Sequence, residues 1–239
     1  RDETSRFEIR ERLKKSYWDR TLQIRNAFKL GASVEEIGDI TKVDPWFLFQ
    51  IQDIVAIEEA LHKLALHQVD VEFMRQVKRF GFSDLQIAYL VQDDVSEEEV
   101  RNYRKGLGLK PSYPLADTCA GVFPAKGDYF YSSYESNTES VVSDKEKVLI
   151  LGSGPNRIGQ GIEFDYSCVH GVLASKEMGY EAIMVNCNPE TVSTDFDVAD
   201  KLYFEPVFWE RVRDIIEHEN PSGVIVQLGG QTALKLARY

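Results

Sequence analysis

A glycine-rich loop that joins a strand to a helix constrains this chain more than any other feature. Residues 147–166 begin with KVLIL, which predicts a buried β-strand, pass through a run of glycines and enter a helix near Ile162. At such a junction, unpaired backbone N–H groups and the positive end of the helix dipole point toward the bound group, usually an anion. We therefore expect an α/β domain with a binding site at this loop.

Two common nucleotide-binding loops fail here at the residues that carry their chemistry. The dinucleotide fingerprint G-x-G-x-x-G fits Gly152 and Gly154 but has Arg157 at its third glycine. A phosphate-binding G-x-x-x-x-G-K-[ST] loop can begin at Gly154, but Gln160 replaces its lysine. The next predicted strand ends at Asn186, where a ribose-binding Asp or Glu would be expected. A dinucleotide-binding oxidoreductase module is therefore a disfavoured alternative.

Strands and helices alternate through the rest of the second half. Further elements are predicted in this order: strands at residues 182–186, 201–204 and 224–227, helices at about 162–176 and 209–218, and a helix after Gly230. Strands joined by helices in this way form a doubly wound parallel sheet of the Rossmann-like class. Ligands of such a sheet bind at the carboxyl ends of its strands, where the loops at 152–161, 187–195 and 228–231 would meet.

Short helices are predicted from residue 1 to about residue 108, which indicates an all-helical domain. Ser33, Ser83 and Ser96 each begin a capping box, and Asp44 followed by proline supplies another helix start. Three aromatic residues near the start of the longest helix are expected to lie in the core: Trp46, Phe47 and Phe49.

The helical periodicity ends near residue 110, where residues such as Pro111, Pro114 and Gly121 break any long element. A polar, serine-rich stretch at 135–144 separates this irregular connector from the α/β half. We therefore place the connector with the helical domain, at residues 1–140, and the α/β domain at residues 141–239. A further strand would be expected after the last predicted helix, so the α/β domain is expected to be incomplete at its C-terminal end.

Short helices joined by tight turns are also typical of a DNA-binding regulator, here with an α/β sensing domain. The best candidate for a recognition segment, residues 75–79, is short. The formal net charge is −11, with 19 basic and 24 acidic residues up to Ser140 and 9 basic and 15 acidic residues after it. Acidic halves repel nucleic acid and anionic membranes, so no partner of either kind is expected.

Composition also favours a cytoplasmic protein. The 3 cysteines are odd in number and lack metal-ligand spacing, which is typical of free thiols in a reducing compartment. The apolar runs are much shorter than the roughly 18 to 20 residues of a membrane span. The polar, mixed-charge first residues predict no signal peptide.

Four blocks of the second half resemble one family. They are residues 147–166, MVNCNPETVSTD at 184–195, LYFEP at 202–206 and GVIVQLGGQT at 223–232. In this order and spacing they are similar to the start of the second synthetase half, the pre-ATP-grasp domain, of the large chain of carbamoyl phosphate synthetase. The helical half resembles the oligomerisation domain of the same family through DPWFLFQI at 44–51, GFSD at 81–84 and VFP at 122–124.

This resemblance implies an ATP-dependent ligase as the parent protein. In the family, one half of the large chain uses ATP to phosphorylate bicarbonate, ammonia converts the carboxyphosphate to carbamate, and the second half phosphorylates carbamate with another ATP. The product serves pyrimidine and arginine biosynthesis. The parent would use ATP with Mg²⁺ or Mn²⁺ and K⁺, and its partners would be the rest of the large chain, a glutamine-hydrolysing small subunit and further copies.

The resemblance assigns no catalytic residue, cofactor or metal to these 239 residues, which alone are expected to be inactive. It assigns five residues to the wall of a route that brings carbamate to the second active site: Asn156, Arg157, Gln160, Glu163 and Glu190. Arg157 could instead pair with Glu163 or Asp165 and fix the loop. Glu163 and Asp165 lie two residues apart on a helix, so they cannot form an acid–base dyad. His170 is expected to be buried and hydrogen-bonded.

Overall fold

The structure is a computed structural model that describes residues 2–119, 121–123, 127–135, 137–155 and 161–239. It divides into two compact units, Arg1–Gly108 and Leu109–Tyr239. The first is helical and the second is an α/β unit, so the predicted fold class is confirmed.

Seven α-helices form the described part of the helical unit: α1 (Asp2–Leu13), α2 (Arg20–Lys29), α3 (Val34–Thr41), α4 (Pro45–Leu61), α5 (Val71–Arg79), α6 (Asp84–Leu90) and α7 (Glu97–Gly106). A 3₁₀ turn, Leu66–Gln68, lies between α4 and α5. Within the described ranges, none of the helices has the length and apolar character needed to cross a membrane.

The predicted helix starts are present with one difference. Ser83 and Ser96 form complete capping boxes at the starts of α6 and α7. At α3, Ser33 accepts the backbone N–H of Glu36, but the Glu36 carboxylate contacts the guanidinium of Arg10 at 2.6 Å. A long-range ion pair has therefore replaced the second half of this predicted box.

The core of the helical unit excludes the aromatic residues that were expected there. Leu48 and Val55 on α4 are buried, and their spacing of seven residues marks the inward stripe of the helix. Trp46, Phe47 and Phe49 flank that stripe and are 62%, 56% and 48% exposed, so the prediction of core positions was wrong.

A buried ion cluster stabilises the second part of the helical unit. The Asp84 carboxylate contacts Lys78 Nζ at 2.9 Å and Arg104 Nη2 at 2.7 Å, and all three side chains are fully buried. Burial raises the pKa of Asp84, but the charges and hydrogen bonds of Lys78 and Arg104 outweigh burial and hold this pKa below its usual value. Asp84 therefore remains ionised between its two cationic partners.

The α/β unit contains these elements in the described residues: β1 (Tyr129–Phe130), β2 (Lys147–Leu151), α8 (Ile162–Glu177), β3 (Glu181–Asn186), β4 (Lys201–Phe204), α9 (Trp209–Glu219), β5 (Gly223–Ile225) and α10 (Gly230–Leu234). The strands pair in the order β1-β4-β3-β2-β5, and all four pairings are parallel. The order reverses at β2, because β3 lies on one side of it and β5 on the other.

Alternate residues of the strands pack on opposite faces of the sheet. Leu149 and Ile183 contact the cluster that includes Ile215 of α9. Ile150 and Met184 belong to the cluster that contains the buried side chains of α8. Because a helix covers each face, the sheet is doubly wound and its central strands are buried on both sides.

The connector belongs to the α/β unit and not, as predicted, to the helical domain. Its strand β1 pairs with β4, and Tyr113 and Phe130 are 2% and 3% exposed in the core of the sheet. The observed boundary is therefore at Gly108, and the prediction of 140 is corrected. Tyr113 and Phe130 are too far apart in sequence to form a periodic pattern, so local patterning does not predict this packing.

A second buried ion cluster lies at the amino ends of β2 and β4. Glu219, the last residue of α9, contacts Lys147 Nζ at 3.0 Å and Lys201 Nζ at 2.9 Å and accepts a hydrogen bond from the hydroxyl of Tyr203. Glu219 is 1% exposed. This cluster fastens α9 to two strands at the edge of the sheet opposite the glycine-rich loop.

Candidate functional site at the carboxyl edge of the sheet

The chain leaves β2 through glycines that allow close packing against β3. The backbone N–H of Gly152 donates to Val185 O at 2.8 Å. A Cβ atom on Gly152 would lie 2.5 Å from Cγ of Asn186, so a larger residue would not fit. Gly154 has φ +73°, a left-handed conformation that glycine adopts at little cost. These glycines serve the packing of the loop onto Asn186.

Asn186 connects the loops that follow β2 and β3. Its Oδ1 accepts the backbone N–H groups of Gly154 at 3.1 Å and Cys187 at 2.9 Å. Its Nδ2 donates to Ser193 Oγ at 3.1 Å and to Asp165 Oδ1 at 3.4 Å. The side chain is fully buried and uses both its donors and its acceptor. Asn186 therefore has nothing left to offer a ribose hydroxyl.

Asp165 lies in the first turn of α8 and points into the protein. It is fully buried and accepts the backbone N–H of Ser193 at 2.8 Å and the Ser193 hydroxyl. Glu163, two residues earlier on the same helix, is exposed. The two carboxylates face different ways, as the helical spacing predicted.

The loop after β5 closes the point at which the strand order reverses. A Cβ atom on Gly229 would lie 2.4 Å from the carbonyl oxygens of Leu151 and Gly152. A Cβ atom on Gly230 would lie 2.9 Å from the ring of Phe164. In the described residues, the backbones of the loops after β2 and β5 therefore pack directly against each other.

Comparison with family models adds a second line of evidence. Residues 144–239 match the model described as "Carbamoyl phosphate synthase preATP-grasp domain". Residues 1–108 match the model described as "Carbamoyl-phosphate synthetase large chain, oligomerisation domain". The chain belongs to the carbamoyl phosphate synthetase large-chain family.

Individual relatives agree with this family membership. The carbamoyl phosphate synthase large chain of Archaeoglobus fulgidus is 52% identical over 99% of this chain. Those of Nostoc sp. and Haemophilus ducreyi are 54% and 55% identical, each over 96% of this chain. The chain spans about a fifth of the length of these relatives, namely 22%, 21% and 21%.

The structure describes two of the five residues predicted for the carbamate route. Glu163 lies on the first turn of α8 and Glu190 in the loop after β3, and both are exposed at the carboxyl edge of the sheet. Asn156, Arg157 and Gln160 lie outside the described residues.

His170 differs from its prediction. It is exposed on α8 and packs edge-on against Tyr166, with ring centroids 4.5 Å apart. The two residues are four positions apart, so they are neighbours on one helical face. The expectation of a buried histidine was wrong because the inward face of α8 is formed instead by Cys168 and Val172.

The network of Asp165, Asn186 and Ser193 was not predicted from the sequence. Its only sequence sign is the run of polar residues directly after a buried apolar strand, which does not identify partners 28 residues away. Thr191, in the same loop, is 8% exposed, and in the described part of the chain its hydroxyl has no hydrogen-bond partner. These buried polar groups make the edge a fixed platform.

The residues of this edge do not fit a triphosphate. In sequence, the loops at 152–161, 187–195 and 228–231 contain a single basic residue, Arg157. Phosphoryl transfer sites use several cationic groups together with metal-binding carboxylates. A single basic residue does not supply these cationic groups, so no step of nucleotide chemistry is assigned to this edge.

In residues 75–79, the best candidate segment for a DNA reader, Arg79 is exposed but one basic side chain is withdrawn from the surface. Lys78 is buried and bound to Asp84 at 2.9 Å. A lysine held in this way cannot contact phosphate.

Proposed function

We propose that this chain is the part of a carbamoyl phosphate synthetase large chain that helps to assemble the enzyme and forms one wall of the carbamate route. The whole protein would make carbamoyl phosphate from bicarbonate, ammonia released from glutamine and two ATP, with Mg²⁺ or Mn²⁺ and K⁺. The position of Glu163 and Glu190, exposed on adjoining elements at the carboxyl edge, carries the proposal.

The proposed roles follow from the hydrogen-bonding capacity of each side chain. The carboxylates of Glu163 and Glu190 accept hydrogen bonds from the amino group of carbamate. Arg157, Asn156 and Gln160 would donate to its carboxylate group, Arg157 with the charge assistance of a guanidinium. A wall that pairs both ends of a small unstable molecule delays its escape into bulk water.

The helical unit supports the assembly role through its family description as an oligomerisation domain. We propose as partners the rest of the large chain, further copies of it and a glutamine-hydrolysing small subunit, in the cytoplasm. ATP and its metal ions would bind outside these residues, so the 239-residue chain alone would not cleave ATP in the presence of bicarbonate.

The experiment is a pair of substitutions in the full-length large chain, Glu163→Gln and Glu190→Gln. Bicarbonate-dependent ATP cleavage and carbamoyl phosphate formation are measured together, and their ratio is the coupling ratio. We expect the coupling ratio to fall about tenfold while ATP cleavage changes less than about twofold, because carbamate forms but is lost.

Glu177→Gln is the matched control. Glu177 is exposed at the other end of the same helix, at the edge of the sheet opposite the proposed route. It should leave the coupling ratio unchanged. An unchanged coupling ratio in both route variants would reject the proposed function.

A further inference from the structure

We propose that Asp165 is a positioning residue that fixes the placement of Glu163 relative to Glu190. The inference rests on the function proposed above and deepens it, because it names the buried group through which the two exposed carboxylates are held. Asp165 itself is fully buried and would touch no carbamate.

The connection runs through Ser193. The Asp165 carboxylate accepts the Ser193 backbone N–H at 2.8 Å and the Ser193 hydroxyl. Ser193 is 1% exposed and lies in the 3₁₀ turn Val192–Thr194. Hydrogen bonds to a buried carboxylate are among the stronger ones in proteins. They fasten the first turn of α8 to the loop after β3.

Each exposed carboxylate lies close to one end of this connection. Glu163 is two residues before Asp165 within the same helical turn, and Glu190 is three residues before Ser193. The loop between Glu190 and Ser193 is closed on itself, since Thr194 Oγ1 donates to Thr191 O at 2.9 Å and Asn188 O at 3.0 Å. A shift of the helix relative to this loop would therefore change the distance between the two carboxylates.

The chemistry of the position requires a carboxylate. Asp165 accepts hydrogen bonds from three donors, which are the N–H and O–H of Ser193 and Nδ2 of Asn186. An asparagine would present an N–H₂ group of its own to one of these donors. Two donors would then meet in a buried site, and at least one would remain unpaired, which pushes the helix and the loop apart.

The test uses the full-length large chain and the coupling ratio defined above. Asp165→Asn should lower the coupling ratio about tenfold, since small displacements of positioned groups have effects of this order. ATP synthesis from ADP and carbamoyl phosphate, which needs the second active site but no transfer of carbamate, should be retained. Ser175→Ala is the control, because the Ser175 hydroxyl donates within the same helix, to Gly171 O at 2.7 Å.

The same substitution is then made in the Glu163→Gln, Glu190→Gln double variant. If Asp165 acts through the two carboxylates, Asp165→Asn should change the coupling ratio of the double variant less than about twofold, because the groups that it positions are already absent. An equal loss in both backgrounds would overturn the inference, because Asp165 would then act independently of the route. An unchanged ratio in the otherwise natural chain would also overturn it.

If Asp165→Asn does not fold, Ser193→Ala tests the same inference. It removes the hydroxyl bond, retains the backbone N–H bond, and is judged by the same comparison between backgrounds. A different result would reject the proposed function: in that case Glu163→Gln and Glu190→Gln would leave the coupling ratio unchanged. A loss in those variants with no loss in the Asp165 and Ser193 variants rejects the inference alone.

Discussion

Single buried carboxylates determine much of the local structure in both units. Glu219 shows the principle most clearly, because one carboxylate neutralises part of the charge of two buried lysines, Lys147 and Lys201. Burial raises the pKa of Glu219, but hydrogen bonds from Tyr203, Lys201 and Lys147 outweigh burial and hold the pKa below its usual value. The folded state therefore stabilises the ionised form.

We predict that Glu219→Gln destabilises the α/β unit strongly at neutral pH and less in acid. Breaking a buried ion pair costs about 3–5 kcal/mol. The contribution of Glu219 is fully present above the pKa of an unfolded glutamate, about 4.3, and is lost as pH falls through the lower folded pKa. The difference in unfolding free energy between the two chains should therefore shrink below about pH 4.

Urea denaturation at several pH values measures this difference. Replacing Trp18 and Trp46 by phenylalanine leaves Trp209 as the fluorescence probe, in the α/β unit. Glu177→Gln, at an exposed position, should show no such pH-dependent difference. A difference for Glu219→Gln that stays constant from pH 7 to about pH 3 would contradict the ionised state of the buried carboxylate.

At the scale of elements, the loops at the carboxyl edge depend on contacts that a side chain would prevent. Gly229 has φ −74°, so its backbone conformation suits any residue. Its requirement for glycine comes from the carbonyl oxygens of Leu151 and Gly152, which would lie 2.4 Å from a Cβ atom. Because these atoms belong to the backbone at the end of β2, no change of rotamer can make room.

We predict that Gly229→Ala lowers the unfolding free energy of the α/β unit by about 1–3 kcal/mol, the usual cost of overpacking. Gly223→Ala is the control, since no atom lies within 4 Å of the Cβ position there. The tryptophan fluorescence used for Glu219 measures both variants. Equal effects of the two substitutions would show that the loops after β2 and β5 can separate at little cost.

Elements with local signals could be predicted from the sequence, and contacts between distant residues could not. The capping boxes at Ser83 and Ser96 and the strand at 147–151 depend on neighbouring residues, and the structure confirms them. The packing of the connector depends on the pairing of β1 with β4, about 70 residues later, as its Tyr129–Leu202 register shows. Likewise, Glu163 and Glu190 were assigned to the route through the resemblance to the family, whereas the contact between Asp165 and Ser193 is visible only in the structure.

For the whole molecule, the two units contain separate cores. The helical core includes Leu13, Ile37 and Leu48, whereas the cores on the two faces of the sheet are built from residues beyond position 112. Each unit is also in the size range of independently folding domains, roughly 100–150 residues. We therefore expect residues 1–108 and 109–239 to fold as separate pieces.

A sharper prediction concerns where the α/β unit begins. The family model starts at residue 144, but the structural unit starts at Leu109 and includes Tyr113 and Phe130 in its core. Residues 144–239 alone would lose the burial of these two aromatic side chains, worth about 1.5–3 kcal/mol each, and would expose β4 as an edge strand. Urea denaturation should show a clearly lower unfolding free energy for 144–239 than for 109–239. Equal stability of the two pieces would mean that the connector covers the sheet without stabilising it. The domain boundary would then lie in the serine-rich stretch at 135–144.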